Sequence, residues 1–246
     1  MYTVLVNGLI CDGSGSEPEA KELLLKNGRI ADFAAPGTFA GVDADKIDAA
    51  GKIIAPGFID VHAHGDTRKL KFPERKSVLL QGVTTDVGGN CGSSVAPSEK
   101  YPAMADYLAQ VEQARPSINS ATLVGHGTIR NAVMGYSRAE ATAQEIEQMR
   151  KLTAQAMEEG AYGISTGLIY PPSCYSTTEE LVRVVSAVAP YGGYYATHMR
   201  NESYDVVKSV EEALHVAKEA GVRLQISHHK VTHKLGWQVS CKTTVA

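Results

Sequence analysis

Between residues 55 and 232 strand candidates alternate with helix candidates, and that alternation predicts an α/β fold on a parallel sheet. Two further observations narrow the class. Each strand candidate in this region ends in a polar or metal-capable group, as in (β/α) barrels, whose functional groups gather at the carboxyl ends of the strands. Residues 1–54 instead carry turn signals and no helical periodicity, which predicts a small β-sandwich module. About six β/α units can be counted where a closed barrel needs eight. The expected architecture is therefore an incomplete TIM-like (β/α) barrel over 55–232, preceded by the module at 1–54 and followed by an off-pattern tail at 233–246.

The module opens with Tyr2–Val6, turns at Asp12-Gly13-Ser14-Gly15 and resumes at Glu22–Leu25. Asn27-Gly28 is the strongest hairpin signal, with Arg29–Phe33 as its return strand. Lys46–Asp48 and Gly51-Lys52-Ile53 complete it, and no catalytic-looking cluster falls within it. The barrel strands are expected at Phe58–Val61, Thr84–Val87, Ala121–Val124, Gly163–Ser165, Tyr194–Thr197 and Arg223–Ser227. The first helix, 100–112, aligns Met104, Tyr107, Leu108 and Val111 on one face. The next, Thr142 to Glu159, opens with the capping box Thr142/Glu145 and stops at Gly160. Another opens at Thr177 with Glu180 and ends at Pro190; the last spans Ser203 to Ala220 and stops at Gly221. No glycine-rich phosphate loop follows the first barrel strand, which weakens a dinucleotide-binding reading.

Of the 246 residues 43% are hydrophobic and 21% charged, ample for a soluble globular core. A net charge of −3 gives no electrostatic case for nucleic acid or an anionic membrane. No run of about 18 apolar residues exists to span a bilayer, and the start, MYTVLVNGLICDGSG, does not read as a signal peptide. Cys11, Cys91, Cys174 and Cys241 show no C-x-x-C spacing and are too sparse for a disulfide scaffold. A reducing, cytoplasmic compartment is the expectation.

The chemistry-bearing positions are the strand ends. IIAPGFIDVHAHGD delivers His62 and His64, which alternate strand geometry would point the same way, about 7 Å apart along the backbone and able to share one metal ion. GVTTDVGGNCG brings Cys91 on a glycine-rich turn; the later strands end at His126, at Ser165-Thr166-Gly167, at His198 and at His228. Cys91, His198 and His228 form a thiolate–imidazole set that suits Zn²⁺. The separation of His198 and His228 (228 − 198 = 30) is one strand–helix–strand repeat, so they are expected on neighbouring strand ends. For Cys91 the alternative is a buried thiol packed beside glycines, and for His126 a neutral imidazole bonded to its surroundings. His229 is expected to alternate away from His228, while His215 and His233 read as surface residues.

The blocks IIAPGFIDVHAHGD, QGVTTDVGGNCGSSVAP, VGHGTIR, GISTGLIYPP, YATHMRNE and ISHHK together resemble the amidohydrolase superfamily, in particular its D-aminoacylase (N-acyl-D-amino-acid deacylase) branch. The H-x-H is weak evidence alone; the combination of GNCG, THMR-N-E and SHHK is specific. The resemblance implies a tight zinc site at Cys91, His198 and His228, with a weaker second position at His62 and His64 sharing the cysteine sulfur. It also implies that Tyr170 and Lys230 hold the carboxylate of a small N-acyl-D-amino acid, and that an aspartate ending an eighth strand is the general acid/base. That aspartate has no candidate here: after Thr232 the chain reads HKLGWQVSCKTTVA, off the branch's pattern. A truncated chain with at most weak deacylase activity is the resulting expectation. A non-catalytic metal-binding fragment is one alternative. The other is a dihydroorotase- or hydantoinase-like cyclic-amide hydrolase, but that family's bridging lysine on the fourth strand is missing from AYGISTGLIY.

Overall fold

The computed structural model of the chain describes residues 1–239; Cys241 and the rest of 240–246, part of the expected tail, lie outside the described residues. Two compact units divide at Phe58/Ile59. In the first, β1 (Tyr2–Val6), β2 (Leu9–Ile10), β3 (Glu19–Ala20), β4 (Glu22–Lys26), β5 (Arg29–Ala34), β6 (Asp45–Asp48) and β7 (Ile53–Ile54) form two small sheets. One has the order β5-β4-β1-β6 and the other β3-β2-β7. The Asn27-Gly28 turn joins β4 to β5 as its residues require, both having positive φ, 52° and 74°.

The strand β8 (Phe58–Asp60) leads into the second unit, which continues with α1 (Asp66–Lys71), α2 (Lys76–Leu79), β9 (Val83–Gly88), α3 (Met104–Ala114), β10 (Asn119–Thr122) and β11 (Val124–Gly125). Then come α4 (His126–Met134), α5 (Ala143–Glu158), β12 (Gly163–Gly167), α6 (Thr178–Val185), β13 (Tyr194–His198), α7 (Val206–Ala220) and β14 (Arg223–Ile226). The strand orders are β10-β9-β8 and β11-β12-β13-β14. β10 and β11 are two halves of one run, broken at Leu123: β10 pairs in parallel with β9, and β11 in parallel with β12. Parallel pairing continues through β13 to β14, bringing Gly167 opposite His198. The fold is α/β, as expected, and β8 and β14 end the order without meeting. Met149, Leu181, Val184 and Val216 from the helices bury themselves against Ile164 and Tyr195 of the sheet.

Three details depart from the sequence reading. The first strand stops at Asp60, whose Oδ1 accepts from the His62 amide at 3.1 Å in a tight turn, so His62 and His64 lie beyond the strand and strand alternation does not govern them. His126 opens α4, a helix that the pattern of VGHGTIR did not announce. Thr177 caps α6 by accepting from the Glu180 amide at 3.1 Å, but the Glu180 carboxylate turns inward to buried Arg130 and His126. The capping box at α5 forms in full: Thr142 Oγ1 accepts from the Glu145 amide at 3.2 Å and Glu145 Oε2 from the Thr142 amide at 2.8 Å.

Candidate metal centre

The site is organised by the turn that follows β9. Cys91 takes φ 53°, a left-handed conformation that L-residues enter only when held there. Ser165 of β12 holds it: its hydroxyl accepts from the Gly92 amide at 2.9 Å and donates to the Gly89 carbonyl. Asn90 Nδ2 adds a bond to the Val87 carbonyl at 2.9 Å. Backbone packs directly on backbone here. A Cβ on Gly167 would lie 2.1 Å from the Cys91 carbonyl oxygen, so only glycine lets β12 approach the cysteine turn this closely.

Three imidazole nitrogens surround the Cys91 sulfur: His62 Nε2 at 3.5 Å, His198 Nδ1 at 3.8 Å and His228 Nε2 at 3.8 Å. A thiol has one proton, so at most one of these contacts can be an S–H···N bond. The donors fall into two groups that share the sulfur, His62/His64/Cys91 and Cys91/His198/His228, with the ligand atoms of each within 4.8 Å of one another. The rings meet edge to face, His198 and His228 with centroids 4.5 Å apart and His62 and His64 5.1 Å apart. Burial pushes the Cys91 thiol pKa up, reinforced by the Glu202 charge and opposed by Lys230. Burial likewise lowers the His62 and His198 pKa values, which favours the neutral imidazole, with Glu202 opposing the shift at His198.

Lys230 and Tyr170 each lie beside one histidine of this cluster. Lys230 Nζ bonds Glu202 Oε2 and lies 3.1 Å from His228 Nδ1. Tyr170, half exposed, packs its ring 5.0 Å from that of His198. Tyr170, Cys91 and His64 border a cavity of about 1020 Å³ whose other walls include Ser94, Asn131 and Tyr136.

His126 is not part of the cluster. It is fully buried, with Nδ1 3.1 Å from Ser173 Oγ and Nε2 3.1 Å from Glu180 Oε1, so both nitrogens are engaged away from Cys91. His215 is exposed on α7, and His233 Nε2 meets the Tyr204 hydroxyl at 2.6 Å. The residue that sequence reasoning passed over is Glu202. It stands four positions after His198, and its carboxylate reaches His228 Nδ1 at 2.7 Å and lies 3.7 Å from His198 Nε2. It closes the THMR-N-E block singled out in the sequence, where it was given no role of its own.

A family model described as "Amidohydrolase family" matches residues 45–237. The chain is 39% identical to a D-aminoacylase of Alcaligenes xylosoxydans xylosoxydans over 93% of its own length and 50% of the relative's. Among solved structures it is similar to a D-aminoacylase described as having a binuclear metal centre with one-metal activation and second-metal attenuation; the TM-score is 0.92 at 38% identity, over 99% of this chain and 54% of that one. It is also similar to the N-acyl-D-glutamate deacylase of Bordetella bronchiseptica in complex with zinc and a phosphonate mimic of the tetrahedral intermediate (TM-score 0.92, 34% identity, 99% and 54% covered). The chain thus spans about half the length of the curated relatives it matches. On the family match over 45–237 and the fold shared at TM-score 0.92, this chain belongs to the amidohydrolase family.

Proposed function

We propose that the chain holds a zinc ion through Cys91, His198 and His228, with His62 and His64 around the same sulfur as a weaker second position. We further propose that it serves a hydrolase splitting N-acyl-D-amino acids into a carboxylate and a free D-amino acid. The observation that carries this reading is the convergence of three imidazole nitrogens on one sulfur at 3.5–3.8 Å. Tetrahedral zinc, with Zn–S near 2.3 Å and Zn–N near 2.0–2.1 Å, sets S···N at about 3.6 Å. The observed spacings agree within a few tenths of an ångström, so the residues fit the ion. The donor set leaves a fourth position open, as hydrolytic zinc sites do. Bound there, zinc would supply Lewis acidity, which brings the pKa of water down to near neutral.

The protein's own groups do the rest. Tyr170 stands beside His198 and Lys230 beside His228, the two groups assigned here to a substrate carboxylate, and the cavity beside Tyr170 is large enough for an acyl or amino-acid side chain. Holding carboxylate, carbonyl and side chain at three fixed points is what distinguishes one enantiomer from the other. The absence of any lysine from β12, with a cysteine at the end of the β9 turn, supports this reading over a cyclic-amide hydrolase. In the same reading the strands β8 to β14, with β10 and β11 counted as one run, supply the six β/α units of an incomplete TIM-like barrel over 55–232, residues 1–54 form a sandwich-type module and 233–246 an off-pattern tail. The free thiols Cys11, Cys91 and Cys174 suit a reducing, cytoplasmic setting, and among the described residues no helix is long and apolar enough to cross a membrane.

Elemental analysis of purified protein tests the metal assignment: one zinc per chain is expected, and Cys91→Ala abolishes it. A metal-free protein with an alkylatable Cys91 would overturn the assignment. For substrate, N-acetyl-D-methionine is expected to bind the zinc-loaded protein in preference to its L enantiomer; equal binding would remove the stereochemical part.

A further inference from the structure

Resting on that metal assignment, we propose that Glu202 is the positioning residue of the centre: one carboxylate fixes which nitrogen of His198 and of His228 faces Cys91, and anchors Lys230 beside them. The two histidines use opposite nitrogens. His228 turns Nε2 to the sulfur and Nδ1 to Glu202 Oε1 at 2.7 Å; His198 turns Nδ1 to the sulfur and Nε2 towards Glu202 Oε2 at 3.7 Å. A neutral imidazole has one N–H and one lone pair. A proton drawn to the carboxylate side leaves the lone pair on the cysteine side, where a cation can accept it. The opposite tautomer of His228 would aim an N–H at the cation's position.

Lys230 also approaches His228 Nδ1, at 3.1 Å, and a bond donated by the lysine would impose that opposite tautomer. The carboxylate is closer and carries the complementary charge, and Lys230 gives a hydrogen to the same Glu202 side chain. Lysine thus acts as the counter-charge that a carboxylate only 9% exposed requires. The Glu202 backbone is tied down as well. Its carbonyl accepts from the Thr232 amide at 2.7 Å and the Thr232 hydroxyl at 3.0 Å, which joins the segment after β13 to the segment after β14. His198 closes β13 immediately before the first of these segments, and His228 lies within the second.

The remaining polar atoms point the same way. His198 Nε2 and Glu202 Oε1 are both buried without an aligned hydrogen bond, so Glu202 meets His228 Nδ1 at 2.7 Å and His198 Nε2 at 3.7 Å as ion-pair contacts, each within a small side-chain movement of a hydrogen bond. Among the described residues His62 Nδ1 is also buried without a hydrogen-bond partner, and the nearby Asp60 carboxylate bonds the His62 backbone amide instead of its ring. An orienting carboxylate beside His198 and His228 alone would make theirs the tighter of the two proposed positions.

The test combines ¹⁵N imidazole NMR of the metal-free full chain with zinc affinity measured by chelator competition, on wild type, Glu202→Gln and Glu202→Ala. In wild type, His228 is expected as the Nδ1–H tautomer and His198 as Nε2–H. Both variants are expected to bind zinc about 10–100-fold more weakly, with His228 shifting to mixed tautomers and circular dichroism unchanged. If the alanine variant fails to fold, the isosteric glutamine variant decides. The proposal is overturned if His228 is Nε2–H in wild type, or if Glu202→Gln keeps both wild-type tautomers and zinc affinity within twofold. A wild type that takes up no zinc sinks the metal assignment instead, and the tautomers still decide the role of Glu202.

Discussion

Asp86 of β9 is a buried carboxylate that two cations and a hydroxyl share. Five positions before Cys91 (91 − 86 = 5), its carboxylate accepts from Lys69 Nζ and Arg75 NH2, both at 2.8 Å, and from Ser120 Oγ at 3.0 Å. The side chains of Lys69 and Asp86 are each 1% exposed. Asp86→Asn keeps the shape and removes the charge, leaving a buried ammonium and a largely buried guanidinium facing a neutral amide. Breaking a buried pair from one side costs about 3–5 kcal/mol. At about 2–4 °C per kcal/mol for a unit of this size, the melting temperature falls by roughly 6–20 °C. Lys69→Met is the control, because Asp86 retains Arg75 and Ser120, and its cost is about 1–2 kcal/mol. Urea and thermal unfolding followed by circular dichroism read both. An Asp86→Asn protein within about 1 kcal/mol of wild type, or a Lys69→Met protein that loses more than Asp86→Asn, would refute the argument.

Three further outcomes are expected. Gly167→Ala must displace the Cys91 turn, since its Cβ would meet the Cys91 carbonyl at 2.1 Å; zinc affinity measured by calorimetry falls while helicity is retained, and unchanged affinity would contradict the close-packing account. Because burial raises the Cys91 pKa, zinc uptake near pH 8 displaces about one proton, and affinity rises with pH until the thiol is ionised. Calorimetry in buffers of different ionisation enthalpy counts that proton, and a value near zero would indicate a thiolate already formed. At α5, Thr142→Ala costs about 1 kcal/mol. The Glu145 carboxyl lies below its usual range because the Thr142 amide and hydroxyl bond to it. Its contribution to stability is therefore complete above the unfolded pKa of about 4.3 and is lost as pH falls through the lower folded value. Comparing wild type with Glu145→Gln across pH 2–7 (roughly the span of carboxyl titration) reads the sign directly.

The alternation of elements was legible because each element carries its own local signature. The period of Ile146, Met149, Thr153 and Met157, the Thr142/Glu145 box and the Gly160 stop define α5 almost to the residue. The Asn27-Gly28 hairpin is equally local. Short, polar or glycine-containing helices gave no such signal. HGTIRNAVM of α4 and DTRKLK of α1 form because tertiary neighbours hold them, as when buried Arg130 bonds Glu180 and the Ser137 and Ala139 carbonyls. The inward turn of Glu180 has the same cause: two buried positive or polar partners outcompete a cap bond to the Thr177 amide.

For the centre itself, sequence by itself identified which donors to consider. Strand-end placement offered His62, His64, Cys91, His126, His198 and His228 alike, and residue chemistry pointed to a soft transition-metal site at Cys91, His198 and His228. Whether those donors meet was a question of tertiary structure. Parallel register brings Gly167 opposite His198, and the left-handed turn at Cys91, clamped by Ser165, aims one sulfur at nitrogens from three segments. Which nitrogen each histidine offers was likewise beyond sequence, because it depends on Glu202 reaching across from one strand end to the next. Local patterns encode helices and strands since their energies are local; a metal centre is fixed by distances between residues as far apart as Cys91 and His228, and only the folded chain sets those.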